Sequence, residues 1–402
     1  MNPLRWLVVS FVFIATGLSF LDRQVLSIAI LKIQQDFHIT DTQYGWINTS
    51  FLLSYALMFT LGGWFIDRAG GKRGLAWSVG IWSVANTLHG FMTNFSQLLA
   101  FRFLLGAGEG GAFPGAAKTV YTWFGPKERG LANGIAIGGS AIGAVVAPPL
   151  TIWLTNVYGW RSGFVVPGVI GIIWVVLWLF IPWKNTAAPQ ETAVSRPRIS
   201  IRQLFRVRPT WVFIFMRFVL DPVMYFMMFW TPKYLSEARG VAYERIGELF
   251  WLPFLALGVS NILGGWFSDK LATRTRSMST ARRIVMGVAA LLTMLLPMTE
   301  WAASVELAVG FMCLYMFAHG LWITNYITAI SDVFGAGATS TVVGLSGTAG
   351  AISSLILNPM IGKIIESYSY APLWVASGVL YPIAFLCFIR LIPRLTPVFD
   401  PA

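Results

Sequence analysis

Apolar stretches of about 20 residues, the length at which a helix crosses a bilayer, alternate with short polar connections along the whole chain. They fall near 5–34, 43–67, 74–93, 96–122, 129–157 and 162–182, then near 210–236, 244–269, 283–299, 303–332, 339–367 and 371–392. The longest interruption, Trp183 to Pro209, holds Arg196, Arg198, Arg202, Arg206 and Arg208 with Pro189 and Pro197. This pattern predicts an all-α membrane protein of twelve transmembrane helices. A six-helix half at 1–182 and another at 210–402 would be joined by a cytoplasmic linker at 183–209.

The halves repeat. Leu61-Gly62-Gly63-Trp64-Phe65-Ile66-Asp67-Arg68 returns about 200 residues later as Leu263-Gly264-Gly265-Trp266-Phe267-Ser268-Asp269-Lys270. In both copies an apolar run meets Gly-Gly, an aromatic pair, and then Asp beside a cation, the order expected where a membrane helix reaches water. Leu21-Asp22 answers Leu220-Asp221 at nearly the same offset, and Phe124-Gly125, Gly134 and Pro149 answer Phe334-Gly335, Gly344 and Pro359. Two six-span halves repeated in parallel are a transporter architecture, with the substrate site near the midplane.

Composition supports the bilayer. Of 402 residues 56% are hydrophobic and 11% charged, with mean hydropathy +0.66, whereas soluble domains carry about 25% charged residues. The net charge of +12 does not point to nucleic acid, because the basic residues cluster between spans. Arg68, Lys72 and Arg73 form one group, Lys127 and Arg129 a second, and Lys270, Arg274, Arg276, Arg282 and Arg283 a third. Alternate loops such as Gln34–His38 and Thr299–Trp301 are poor in Lys and Arg, which places both termini in the cytoplasm. Cys313 and Cys387 lie inside apolar spans, so no disulfide framework is expected. The first span runs on without a small-residue cleavage site, which argues against a removable leader. No nucleotide, metal or nucleophile motif occurs, so neither an enzyme nor a cofactor or metal is expected.

Gly63-Trp64-Phe65-Ile66-Asp67-Arg68-Ala69-Gly70-Gly71-Lys72-Arg73 resembles the loop motif between spans two and three of the major facilitator superfamily. The degenerate copy between spans eight and nine is also typical of that family, and the resemblance covers essentially the whole chain. Within the superfamily, Leu21–Ser27, Thr42–Trp46, Arg102–Glu109, Asp221–Val223 and Phe229–Leu235 are similar to the anion:cation symporters, particularly the bacterial hexuronate and sugar-acid branch. The resemblance implies a monomer in the cell inner membrane that imports an organic anion with protons by alternating access. A hexuronate is the first substrate expected, and an aldonate or another sugar acid the next. An exporter or anion exchanger of the same fold, handling an aromatic or dicarboxylic acid, is the alternative.

Ionisable side chains within spans are costly and therefore candidates for function. Asp22 and Arg23 stand deep in span one, about 100° apart around the helix. Arg102 and Glu109 share a face of span four but lie about 10 Å apart along it, so each is expected to meet another span, such as Asp22 or Arg23. A coupling acid needs a movable cationic partner to load and unload its proton, and a carboxylate substrate suits the planar fork of arginine. Asp22 and Glu109 are the expected proton carriers, Arg23 the expected carboxylate ligand, and Arg102 the cation competing for one acid. The matching residues are implied in these roles in the resembling symporters.

Tyr44 and Tyr55, close to one face of span two, and Tyr225, Phe229 and Trp230 in span seven offer aromatic faces for a sugar, or pack against core and lipid. Asn325 in span ten and Asn358 in span eleven satisfy substrate hydroxyls or bond between helices. Asp221-Pro222 is expected to interrupt span seven, with Arg217 pairing Asp221 or serving transport. His319 reads as a hydrogen-bonded structural residue, and His38 and His89 fall near the outer surface. Ala144 stands where the Gly/Pro-rich antiporter motif of drug exporters carries proline, a departure that favours symport. Asp67, Arg68, Arg129 and Asp269 are the expected gating residues, with the first copy of the repeat, which keeps Gly70, carrying more of the gating.

Overall fold

The computed structural model describes residues 4–124, 126–183 and 200–398, without the side chains of 59, 60, 63, 64, 67, 126–131, 336, 337 and 340. The described residues form helices: α1 (Leu4–Phe37), α2 (Asp41–His89), α3 (Phe95–Glu109), α4 (Ala112–Trp123), α5 (Pro126–Tyr158), α6 (Ser162–Phe180) and a short α7 (Ile201–Leu204). Then follow α8 (Arg208–Glu237), α9 (Tyr243–Leu249), α10 (Trp251–Thr275), α11 (Met278–Thr293), α12 (Val305–Ser367) and α13 (Ala371–Leu391). Helices satisfy every backbone donor and acceptor within one segment, which the absence of water in a bilayer demands. Nine described segments are long and apolar enough to span. The two legs of α2 and the pair α3–α4 complete the twelve read from the sequence.

The hairpins are tight. α2 turns at Gly70 (φ 79°, ψ 158°) and α12 at Gly335 (φ 62°, ψ −175°), backbone states that glycine enters without a Cβ clash. The loop motif between spans two and three is thus reduced to a single non-helical residue. In the second copy Ala272 replaces that glycine, and α10 continues to Thr275 before Arg276 takes the positive φ of 53°. α8 runs unbroken through Pro222, so the expected interruption of span seven does not occur. Span four, expected as one helix, divides instead at Gly110-Gly111.

The chain forms two compact units. The first contains residues 1–191, 227–251 and 355–366, and the second 192–226, 252–354 and 367–402. In the first, α1 packs along α5, and α2 along α3, α4 and α6. Lipid tails are as apolar as leucine, so membrane helices associate through close backbone approach rather than exclusion of water. A Cβ on Gly139 would lie 1.9 Å from the Phe13 carbonyl oxygen, and one on Gly143 2.0 Å from that of Gly17. Thr16 Oγ1 seals the contact by donating to the Ala136 carbonyl at 2.6 Å. In the second unit α11 packs against α13. Large apolar side chains face outward, Trp77 at 62% and Ile262 at 77% exposure, a surface suited to lipid rather than water.

Candidate functional site

The backbone contact between α1 and α5 fixes the depth of the next turns of α1, where Ser19, Asp22 and Arg23 point into the first unit. Asp22, Arg23, Arg102 and Glu109 are all buried there. Arg23 Nε donates to Glu109 Oε2 across α1 and α3, and Ser19 Oγ donates to the same oxygen at 3.1 Å. Glu109 therefore meets span one, as the helical spacing of Arg102 and Glu109 required. The Arg23 guanidinium is flanked by the rings of Tyr55 at 4.5 Å, Phe20 at 4.8 Å and Phe51 at 5.5 Å. Aromatic faces stabilise a cation without neutralising it.

Arg102 is placed differently. It is fully buried over Phe51, 5.1 Å from the ring centroid, and none of its three guanidinium nitrogens has a hydrogen-bond partner among the described residues. Asn48, one turn before Phe51 on α2, is likewise fully buried. Asp22 Oδ1 accepts from Asn86 Nδ2 at 2.8 Å, while Oδ2 has no partner. The cluster thus combines an ion pair, a separate cation and a separate acid, all shielded from water.

Three participants escape sequence reading. Asn86 and Asn48 are uncharged amides in apolar spans, with no neighbour in sequence to single them out. His89, read as lying near the outer surface, is instead fully buried: its ring stacks on Phe164 at 5.1 Å, and Nδ1 donates to the Ala85 carbonyl at 2.7 Å. Its place four residues after Ala85, on the inward face of α2, outweighs its place near the helix end.

Tyr44 also belongs to the first unit, donating to the Phe229 carbonyl at 2.6 Å and meeting Trp230 edge-on at 4.8 Å. Trp230 Nε1 donates to Asn358 Oδ1 at 3.2 Å. Beside them Lys233, 4% exposed, bridges Asp41 at 2.9 Å and Glu237, and Glu366 accepts from Thr42 N and Oγ1, each at 2.7 Å. A carboxylate on the first turn of a helix complements its dipole, so Glu366 caps the start of α2.

In the second unit Arg217 Nε pairs with Asp221 Oδ1 at 2.6 Å. The Asp221 carboxylate lies on bare backbone, since a Cβ on Gly350 would stand 1.9 Å from its Oδ2. Asn325 Nδ2 donates to the carbonyls of Gly264 at 3.1 Å and Leu321 at 2.9 Å, a tie between helices. His319 Nδ1 lies 2.5 Å from Tyr381 Oη. Tyr225 is half-buried on α8. Asp269 meets Arg282 Nη1 at 3.3 Å, and Arg282 Nε stands 3.5 Å from Asp332. Arg68 is exposed, and the side chains of Asp67 and Arg129 lie outside the described residues.

Residues 12–358 match the Major Facilitator Superfamily. The chain belongs to it. This major facilitator is a multi-pass membrane transporter and not an enzyme. It is 28% identical to the probable galactarate/D-glucarate transporter GarP of Escherichia coli K12, over 96% of this chain and 94% of that one. It is 30% identical to the probable sulfoacetate transporter SauU of Cupriavidus necator, over 94% and 92%, and 26% identical to the hexuronate transporter of Escherichia coli K12, over 94% and 91%. The likeness to the sugar-acid branch read from the motifs is borne out by these relatives. A solved bacterial homologue of the human lysosomal transporter Spinster, in an inward-facing, occupied conformation, shares the fold with a TM-score of 0.80 at 19% identity, each chain covered completely.

Proposed function

We propose that this major facilitator is a proton-coupled symporter that imports an organic anion, a hexuronate or related sugar acid, by alternating access. It works as a monomer in the inner membrane, with both termini cytoplasmic and with functional halves at 1–182 and 210–402. The observation that carries the reading is the buried contact of Arg23 with Glu109 beside Asp22. Protonation of Glu109 removes the charge that holds Arg23, and the guanidinium then donates its N–H groups to a substrate carboxylate. Deprotonation restores the ion pair and expels the anion, so one cation serves the proton carrier and the substrate in turn. The unpartnered Arg102 keeps the cluster positive enough to accept an anion. The likeness to a probable galactarate/D-glucarate transporter and to a hexuronate transporter supports a carboxylate-bearing sugar as cargo.

Proteoliposomes with an imposed pH gradient test the proposal. Acid outside drives accumulation of the sugar acid, a proton ionophore abolishes it, and Glu109→Gln removes accumulation while leaving anion exchange. Uptake indifferent to the gradient rejects symport in favour of exchange.

A further inference from the structure

Asn86 has no part in the ion pair, yet its side chain is a junction of three helices. It lies on the second leg of α2, fully buried. Its Nδ2 donates to Asp22 Oδ1 on α1 at 2.8 Å and to the Phe164 carbonyl, in the first turn of α6, at 3.1 Å. Its own Oδ1 has no donor, and Asp22 Oδ2 has none either. Buried polar atoms are nearly always satisfied, and leaving one unpaired costs about 1–3 kcal/mol. Two unpaired acceptors, one on the carboxyl and one on the amide that holds it, lack one thing in common: a hydrogen.

We infer that Asn86 is the positioning residue for a proton on Asp22. Its N–H holds the carboxylate, and its amide oxygen is the acceptor for the acid hydrogen once Asp22 is protonated. An amide suits this task because it is donor and acceptor on one planar group, so small rotations let it serve both states of the acid. The proton comes from water reaching the cluster and resides on Asp22 Oδ2, with no other bond made or broken. Because Asn86 also holds the Phe164 carbonyl, the change of state at α1 is felt at the start of α6. The charged and titratable groups around Asp22 are Glu109 and Arg102 from α3, whose fields reach it, Arg23 next in the chain, and His89 one turn beyond Asn86. None of these is hydrogen-bonded to Asp22 among the described residues; Asn86 is.

The inference rests on the reading of Asp22 as a proton carrier, and its test reads the proton directly. Infrared difference spectra of the purified protein in lipid nanodiscs are recorded against pH, and the carboxylic-acid carbonyl band of Asp22 is identified by its loss in Asp22→Asn. In Asn86→Leu, which keeps the bulk and removes both donor and acceptor, the charge-assisted bond to the carboxylate that is lost is stronger than the neutral bond from the acid, so the midpoint of that band moves about one pH unit upward, a tenfold change in proton affinity. Asn86→Ser, which keeps a hydrogen-bonding group, moves it less. A purely structural tie would lower the unfolding temperature of both variants and leave the midpoint where it was, which overturns the inference, as does the absence of any band lost in Asp22→Asn. Should Asn86→Leu fail to fold, Asn86→Ser alone decides. If wild-type uptake ignores a pH gradient while the midpoint still moves, symport fails and the role of Asn86 stands. If uptake is proton-driven and the midpoint is fixed, only the role of Asn86 fails.

Discussion

A guanidinium sealed from water normally sits against a carboxylate, because removing an ion from water costs several kcal/mol and an opposite charge offsets it. Arg102 has the face of Phe51 in place of a carboxylate. A cation–π contact of this kind contributes about 2 kcal/mol when desolvated, which leaves the charge incompletely compensated. Arg102→Met, similar in length and apolar, is therefore expected to raise stability by about 1–3 kcal/mol while abolishing net uptake. Thermal unfolding in detergent and a transport assay measure the two effects. A variant that unfolds several degrees lower would show Arg102 to be a structural residue instead. Asp22, Arg23, Arg102 and Glu109 stand out in the sequence because charge inside an apolar run is conspicuous. Asn86 is not legible there, since an Asn between Ala85 and Thr87 carries no sign that a carboxylate from another helix will meet it.

Elements show the same division between what a linear pattern holds and what packing adds. Span lengths follow from the hydrophobic pattern and the repeat from the returning Leu-Gly-Gly-Trp-Phe, whereas the positive φ at Gly70 is added by the fold. The division of span four at Gly110-Gly111 and the uninterrupted course of α8 through Pro222 are likewise added, because a helix carries on or stops according to which neighbours accept its free backbone groups. The first leg of α2 is bound to 355–366 of α12 with little tolerance. A Cβ on Gly45 would meet the Asn358 carbonyl oxygen at 2.5 Å, and Thr49 Oγ1 donates to the Leu355 carbonyl at 2.8 Å. Gly45→Ala is expected to part this contact. The measurement uses a Thr49→Cys reporter with Cys313 and Cys387 replaced by Ser, and a water-soluble maleimide should label it several-fold faster in the Gly45→Ala background. An unchanged rate would mean that the helices accommodate the methyl by sliding.

At the scale of the whole molecule, the likeness of this chain to probable transporters of galactarate/D-glucarate and sulfoacetate and to a hexuronate transporter leaves the cargo to be resolved by binding. A ligand that binds only the folded state adds RT ln(1 + [L]/Kd), about 2.7 kcal/mol at a hundredfold excess over Kd. Thermal shift across hexuronates, aldonates, aldarates and aromatic acids is expected to single out a sugar acid, and the shift should vanish in Arg23→Lys, whose ammonium lacks the fork. A shift confined to aromatic acids would reassign the cargo.

The contact between α1 and α5 bears on how the chain tolerates change. Gly139 and Gly143 touch neither charge nor candidate ligand, yet any side chain at either pushes α5 off the backbone of α1 and carries Asp22 and Arg23 away from Glu109 and Asn86. The placing of the buried charges thereby depends on two positions with no side chain. Residues that do no chemistry thus set where the chemistry sits.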